Sequence, residues 1–235
     1  EGFQDFIQAR TAYYLVPNVI MPLTKAGRIS YAELAGPSSL DYFISHFWGT
    51  SFAHFVETVQ KHAECAGSED WRSLAYWICF ISNNQWRVEE EVGNGDWRKS
   101  SFYLALQDKG CKATCMVLDP QAEPLRRSWC LFEVLQTYLL LQDPSAPEFE
   151  GLIFCTSSGV LDGQRDGCYD VSVALARRLA VLSVAEATAS NQADQQMIVD
   201  LIEQEGGIER MNSFIKTNML ATLRKMQVSF NGSIV

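Results

Sequence analysis

Short, densely apolar runs alternate with longer amphipathic stretches along most of this chain. The runs DYFIS (41–45), AYWICFIS (75–82), ATCMVLD (113–119), GLIFCT (151–156) and LAVLSV (179–184) are apolar almost throughout. That pattern predicts five strands buried on both faces. Between them the period changes. Phe52, Phe55, Val56, Val59 and Ala63 recur at helical spacing, with Thr50 or Ser51 as the cap. SSFYLALQDKG (100–110) reads as a short helix opened by a serine and stopped by Gly110. RRSWCLFEVLQTYLLL (126–141) is a third helix, and a short one is expected over 171–178 after the glycine-rich stretch 159–170. QADQQMIVDLIEQEGG (192–207) and MNSFIKTNMLATLRKM (211–226) are two closing helices. The opening residues are helical or irregular, and RTAYYLVPNVIMPLT (10–24) is expected to break at Pro17 and Pro22.

Strands that alternate with helices imply an α/β fold with a parallel sheet covered on both sides. Five strands suggest a flavodoxin-like order, 2-1-3-4-5. The expected organisation is an N-terminal extension over 1–39, an α/β domain over 40–185, and C-terminal helices over 186–235 packed on the same domain. Ligands of such sheets bind beyond the carboxyl ends of the strands. This nominates three loops: His46–Thr50, Asn83–Lys99 and Asp119–Arg127.

Composition narrows the function classes. Hydrophobic residues make up 47% and charged residues 20% of 235, enough to bury a full-sized core. The net charge of −9 argues against nucleic acid or an acidic membrane as the main partner. No apolar run is long enough to predict a membrane-spanning helix. Seven irregularly spaced cysteines, three of them inside strand-like runs, predict reduced thiols and a cytoplasmic setting. Cys111 and Cys115 stand four apart without a second Cys/His pair at zinc-ligand spacing, so no structural zinc site is expected.

The chemistry-bearing candidates gather at the nominated loops. Glu133 is a lone carboxylate in the second turn of an otherwise apolar helix, with Trp129 and Cys130 as neighbours on one side and Gln136 and Thr137 on the other. A buried glutamate needs a partner or a task; a solvated edge residue needs neither. His46 directly follows the first strand, whereas His54 and His62 on the next helix read as surface or packing residues. Phe47, Trp48, Gly49 and Trp86 flank the same edge, where aromatic faces either stack on a ligand or pack under loops. Asn83, Asn84 and Gln85 bind hydroxyls or cap turns. Arg126 and Arg127 suit a pyrophosphate, or neutralise Glu123. Glu89, Glu90 and Glu91 read as a solvated face. There is no G-x-G-x-x-G and no Walker loop, and Cys130 lacks a sequence-local histidine to activate it.

The strings YFISHFWG, YWICFISNNQW with its acidic, glycine-bearing loop, SSFYLAL, CMVLD and Ser128-Trp129-Cys130-Leu131-Phe132-Glu133-Val134 resemble the plan of a TIR (Toll/interleukin receptor) domain over about residues 40–185. SHFWG and WICFISNNQW are also similar to stretches of uncharacterised microalgal proteins. The TIR resemblance implies a flavodoxin-like sheet and one of two activities. In one, the helix glutamate, here Glu133, cleaves the nicotinamide–ribose bond of NAD+, with NAD+ as substrate and no resident cofactor or metal. In the other, the domain is a signalling module that self-associates through the Asn83–Lys99 loop. A third reading, a nucleoside or nucleotide glycosyltransferase, rests on the same sheet and carboxylate. Nicotinamide leaves NAD+ as a neutral molecule, so a glycohydrolase needs an oxocarbenium stabiliser rather than a general acid.

Overall fold

The computed structural model describes residues 2–36, 38–66, 71–161 and 183–233. A five-stranded, mostly parallel sheet runs through the molecule in the order β2-β1-β3-β4-β5. Its strands are β1 (Tyr42–Ser45), β2 (Tyr76–Ile78), β3 (Ala113–Val117), β4 (Leu152–Thr156) and β5 (Gly159–Val160). The first four pair in parallel; β5 turns back antiparallel on β4, pairing Cys155 with Val160. This corrects one expectation. The fifth strand is a two-residue hairpin return, made possible by Gly159 at φ 130°. The run 179–184 lies mostly outside the described residues, and Val184 opens a 3-10 turn. The helix expected over 171–178 also lies outside them.

Successive strand residues point to opposite faces, and each face has its own core. Phe43, Met116 and Phe154 face one side; Ile44, Cys115, Val117 and Cys155 face the other. Burying a side chain such as Phe43, which is completely inaccessible, contributes roughly 1.5–3 kcal/mol. The second face is covered by α1 (Phe52–Cys65), capped by Ser51 Oγ accepting from the His54 amide at 3.4 Å, and by the N-terminal helical segment. The first face is covered by α2 (Ser101–Leu106) and α3 (Ser128–Leu140). Two further helices, α4 (Gln192–Gln204) and α5 (Gly207–Ser233), pack outside α3 through Ile198, Leu201, Met211 and Ile215. That outer layer explains why α3 is apolar all round.

Two local expectations change. Pro17 and Pro22 do not break the N-terminal segment. Helix runs through Ala12–Leu15, a π turn at Val16–Ile20, and Met21–Thr24. In the wider turn the Met21 amide reaches the Val16 carbonyl, five residues back, and the helix carries the proline without stopping. The second strand ends at Ile78, and Cys79–Ser82 forms one helical turn instead of continuing it. That turn swings Cys79 and Asn83 toward the end of β1. No helix among the described residues is long and apolar enough to cross a membrane.

Candidate functional site

A cleft of about 530 Å³ opens at the carboxyl ends of β1 and β2. Several pieces of chain wall it. The loop after β1 contributes His46, Phe47 and Trp48. The turn and loop after β2 contribute Cys79, Asn83, Gln85, Val88, Glu89 and Val92. The first turns of α3 supply Arg127, Trp129, Cys130 and Glu133; the stretch Thr188–Asn191 with Asp194 closes the far side. Tyr13 and Val16 reach in from the N-terminal helix. Backbone bonds hold these walls together. The Ala12 amide donates to the Trp48 carbonyl at 3.0 Å, and the Ser128 amide to the Thr188 carbonyl at 3.0 Å.

Of the two readings open for Glu133, buried or solvated at an edge, the structure gives the buried one: the residue is only 4% exposed. Its Oε2 has no hydrogen-bond partner. Burial pushes its carboxyl up to about 8, and the nearby Ser45 hydroxyl tempers the rise without meeting hydrogen-bond geometry. The helix backbone beneath it is well held: Thr137 Oγ1 donates to the Glu133 carbonyl at 2.8 Å and contacts Thr114 Oγ1 at 2.6 Å. So the position of Glu133 is fixed while one of its carboxyl oxygens is unsatisfied. An orphan buried acid costs stability, which makes it a marker of function.

His46 sits beside this acid on the cleft floor. Its ring packs between Phe55 and Phe80, and burial lowers it to about 4, so it is neutral. Its Nε2 lies 3.3 Å from Cys79 Sγ, which also accepts from Trp48 Nε1 at 3.0 Å. Burial pushes the Cys79 thiol up to about 12. Cys130 donates to the His46 carbonyl at 3.4 Å, and its thiol too is raised by burial. The polar floor is therefore neutral at physiological pH, lying under aromatic walls.

Eight of the twelve residues nominated from sequence meet here: Glu133, His46, Phe47, Trp48, Asn83, Gln85, Arg127 and Trp129. Arg127 stands at the rim, bonded to Ser190 Oγ at 3.3 Å and lying over the Phe47 ring. Trp129 donates to Asp194 at 3.1 Å and stacks on Phe102, so one of its faces is already used. Asn83 is held by Ser101 Oγ at 2.7 Å.

The other four do not line the cleft. Arg126 pairs with Glu123 at 3.1 Å, the neutralising role. Asn84 closes a turn on the Trp86 amide and donates to the Arg28 carbonyl at 2.8 Å. Trp86 donates to Thr24 Oγ1 at 3.0 Å beneath the Arg28 guanidinium, tying this loop to the N-terminal helix. Gly49 leaves room for the Phe47 ring, which folds back over the place a β-carbon would take.

Sequence reasoning missed Tyr13, Cys79, Phe102 and the 188–194 wall. Asn191 announces only a helix cap, accepting from the Ala193 amide. Nothing local signals that Asp194 returns to Trp129. Compared with family models, curated proteins and solved structures, the chain gives no match in any of the three.

Proposed function

We propose that the chain is a TIR-like domain of flavodoxin type that cleaves the nicotinamide–ribose bond of NAD+. Residues 1–39 and 186–235 act as helical extensions that supply two of the cleft walls. The observation that carries this reading is Glu133, a buried carboxyl with one unpartnered oxygen, lining a cleft large enough for a nucleotide. In the proposed reaction its ionised form faces the ribose and stabilises the oxocarbenium as nicotinamide departs. The positive nicotinamide ring itself draws the proton off Glu133 on binding, because an opposite charge favours the carboxylate. Trp48 and Phe47 offer faces for the ring, and Arg127 one guanidinium for a phosphate.

The test is nicotinamide release from NAD+ by concentrated protein, with Glu133→Gln alongside. Release by wild type and its loss in the variant support the reading; no release, or equal release, overturns it.

The same carboxyl favours a second reading. Near pH 7 in the empty cleft it is protonated, which suits an acid that protonates a departing neutral base, as a nucleoside glycosidase or glycosyltransferase needs. The two readings differ in sign: kcat/KM rises with pH through about 8 for the carboxylate mechanism and falls for the acid mechanism. The Asn83–Lys99 loop supports homotypic assembly as a companion role. It presents Val88, half exposed, beside Glu89, Glu90 and Glu91 at the cleft mouth.

A further inference from the structure

On the opposite face of the sheet from Glu133, three metal-ligating side chains converge in the core. His62 comes from α1, Cys115 from the middle of β3 and Cys155 from β4. Their ligand atoms all lie within 4.8 Å of one another, and His62 Nε2 is 3.1 Å from Cys115 Sγ. All three residues are buried, at 3%, 0% and 1% exposure. The pairing of β3 with β4 explains the convergence. Val117 sits opposite Cys155, so Cys115, two residues earlier, points to the same face one step diagonally. His62 stands in the last turn of the helix that covers that face.

The imidazole is positioned more firmly than simple packing requires. Its Nδ1 is 2.9 Å from the Tyr76 hydroxyl, and its ring meets Tyr42 edge-on at 4.6 Å between centroids. When Nδ1–H donates to that phenol oxygen, the Nε2 lone pair faces the two sulfurs. This is the arrangement by which metal-bound histidines are held, one nitrogen on the ion and the other on an oxygen. Without an ion, the Nε2 of a buried imidazole faces only a thiol, a weak hydrogen-bond partner.

We propose that His62, Cys115 and Cys155 form a buried site for a thiophilic d10 metal ion, zinc(II) or copper(I). Binding exchanges two thiol protons for the ion: two S–H bonds break, two metal–sulfur bonds form, and two protons leave to solvent. Zinc with two thiolates and a neutral imidazole carries no net charge, which suits an apolar core. Three donors, with no fourth His, Cys, Asp or Glu among the described residues, suit copper(I). The two ions share one donor set, and the experiment separates them. The site is structural in kind, because no donor reaches the cleft. It is independent of the Glu133 reading.

The test uses the full chain expressed in medium supplemented with zinc or with copper and purified under reducing, chelator-free conditions. Metal content is then measured by elemental analysis. One ion per chain is expected, with X-ray absorption placing nitrogen at about 2.0 Å and sulfur at about 2.3 Å. Cys115→Ser and Cys155→Ser lose the ion. Cys111→Ser, whose thiol lies on the other face, keeps it. Should the serine variants fail to fold, wild-type protein refolded with chelator and titrated with cobalt(II) gives a second readout, a thiolate-to-cobalt absorption band. Zinc-loaded and copper-loaded preparations tell the two ions apart. The proposal is overturned by metal-free protein from both media with no cobalt band, or by a Cys115→Ser/Cys155→Ser double variant that retains its ion.

Discussion

The molecule contains the same chemical pair twice. His46 Nε2 lies 3.3 Å from Cys79 Sγ, and His62 Nε2 lies 3.1 Å from Cys115 Sγ. Burial lowers both imidazoles to about 4. What surrounds the pairs is different. The first lies at the carboxyl edge of the sheet, under open space, near an orphan acid and an indole donor. The second is sealed between α1 and the sheet, with another thiol at hand and a phenol behind the ring. The contact geometry of a histidine and a cysteine is thus silent about its use. The space and the third group beside the pair decide it.

The largest effect expected of any single change separates the cleft from the core. Glu133→Gln should lower nicotinamide release by on the order of a hundredfold or more, the scale on which lost transition-state charge stabilisation is felt. His62→Gln should leave the per-molecule rate of folded protein near wild type while lowering its melting temperature. Steady-state assays and thermal melts on the two variants would test both halves, and comparable loss of turnover in both would erase the distinction.

The next test is pH. Glu133 has a folded value near 8, above its ordinary 4.5, so the native state holds a proton that the unfolded chain releases. Stability from this group is therefore greatest below 4.5 and is lost as pH rises toward 8, by several kcal/mol. Each buried histidine acts the other way in pH. With folded values near 4 and an ordinary value of 6.5, His46 and His62 contribute stability that is present above 6.5 and lost as pH falls through 4, by about 3 kcal/mol each. Denaturant titrations from pH 4 to 9 should show a maximum in the weakly acidic to neutral range. Glu133→Gln should flatten the alkaline limb and steepen the acid one, because the Glu133 contribution spans 4.5 to 8 and opposes the histidines below 6.5. An unchanged alkaline limb would mean the acid is not buried in the folded protein.

Smaller effects probe access. A small neutral alkylating reagent should modify Cys79 before Cys115 and Cys155, as read by peptide mass mapping, because of these three Cys79 alone lines the cleft. Prior reaction of Cys115 would show that the core face opens. Trp48→Phe keeps an aromatic ring and removes the indole donor to Cys79. Its cost should be about 1 kcal/mol in chemical denaturation, the net worth of one hydrogen bond.

Much of the sheet was legible because parallel strands buried on both faces leave apolar runs that periodicity detects. The exceptions have local causes. AYWICFIS is apolar to its end, yet Cys79–Ser82 coils into a helical turn, and an apolar run does not record where a strand stops. Pro17 predicted a break that a π turn absorbs. Glu133, His46 and Trp48 were readable because they follow strands or open a helix at the ligand edge. Asp194 and Tyr13 were not, since they enter by tertiary docking of segments far away in sequence. His62 read as a surface or packing residue, and it is buried. Its two sulfur neighbours are set by the register of β3 on β4, which a single sequence does not state.

The backbone clasp between Arg127 and Thr188 has a consequence for the order of events during synthesis. The Thr188 amide and carbonyl grip the chain just ahead of α3, at Arg126 and Ser128. A nascent polypeptide that has emerged through β4 already owns every strand of the parallel core and the helix that bears Glu133. It still lacks the wall from Thr188 to Asp194, so the acid would face open water rather than an enclosed space. The cleft is thus enclosed only after the sheet and α3 have been made, and Glu133 becomes the weak acid of the folded protein only once Thr188–Asp194 docks.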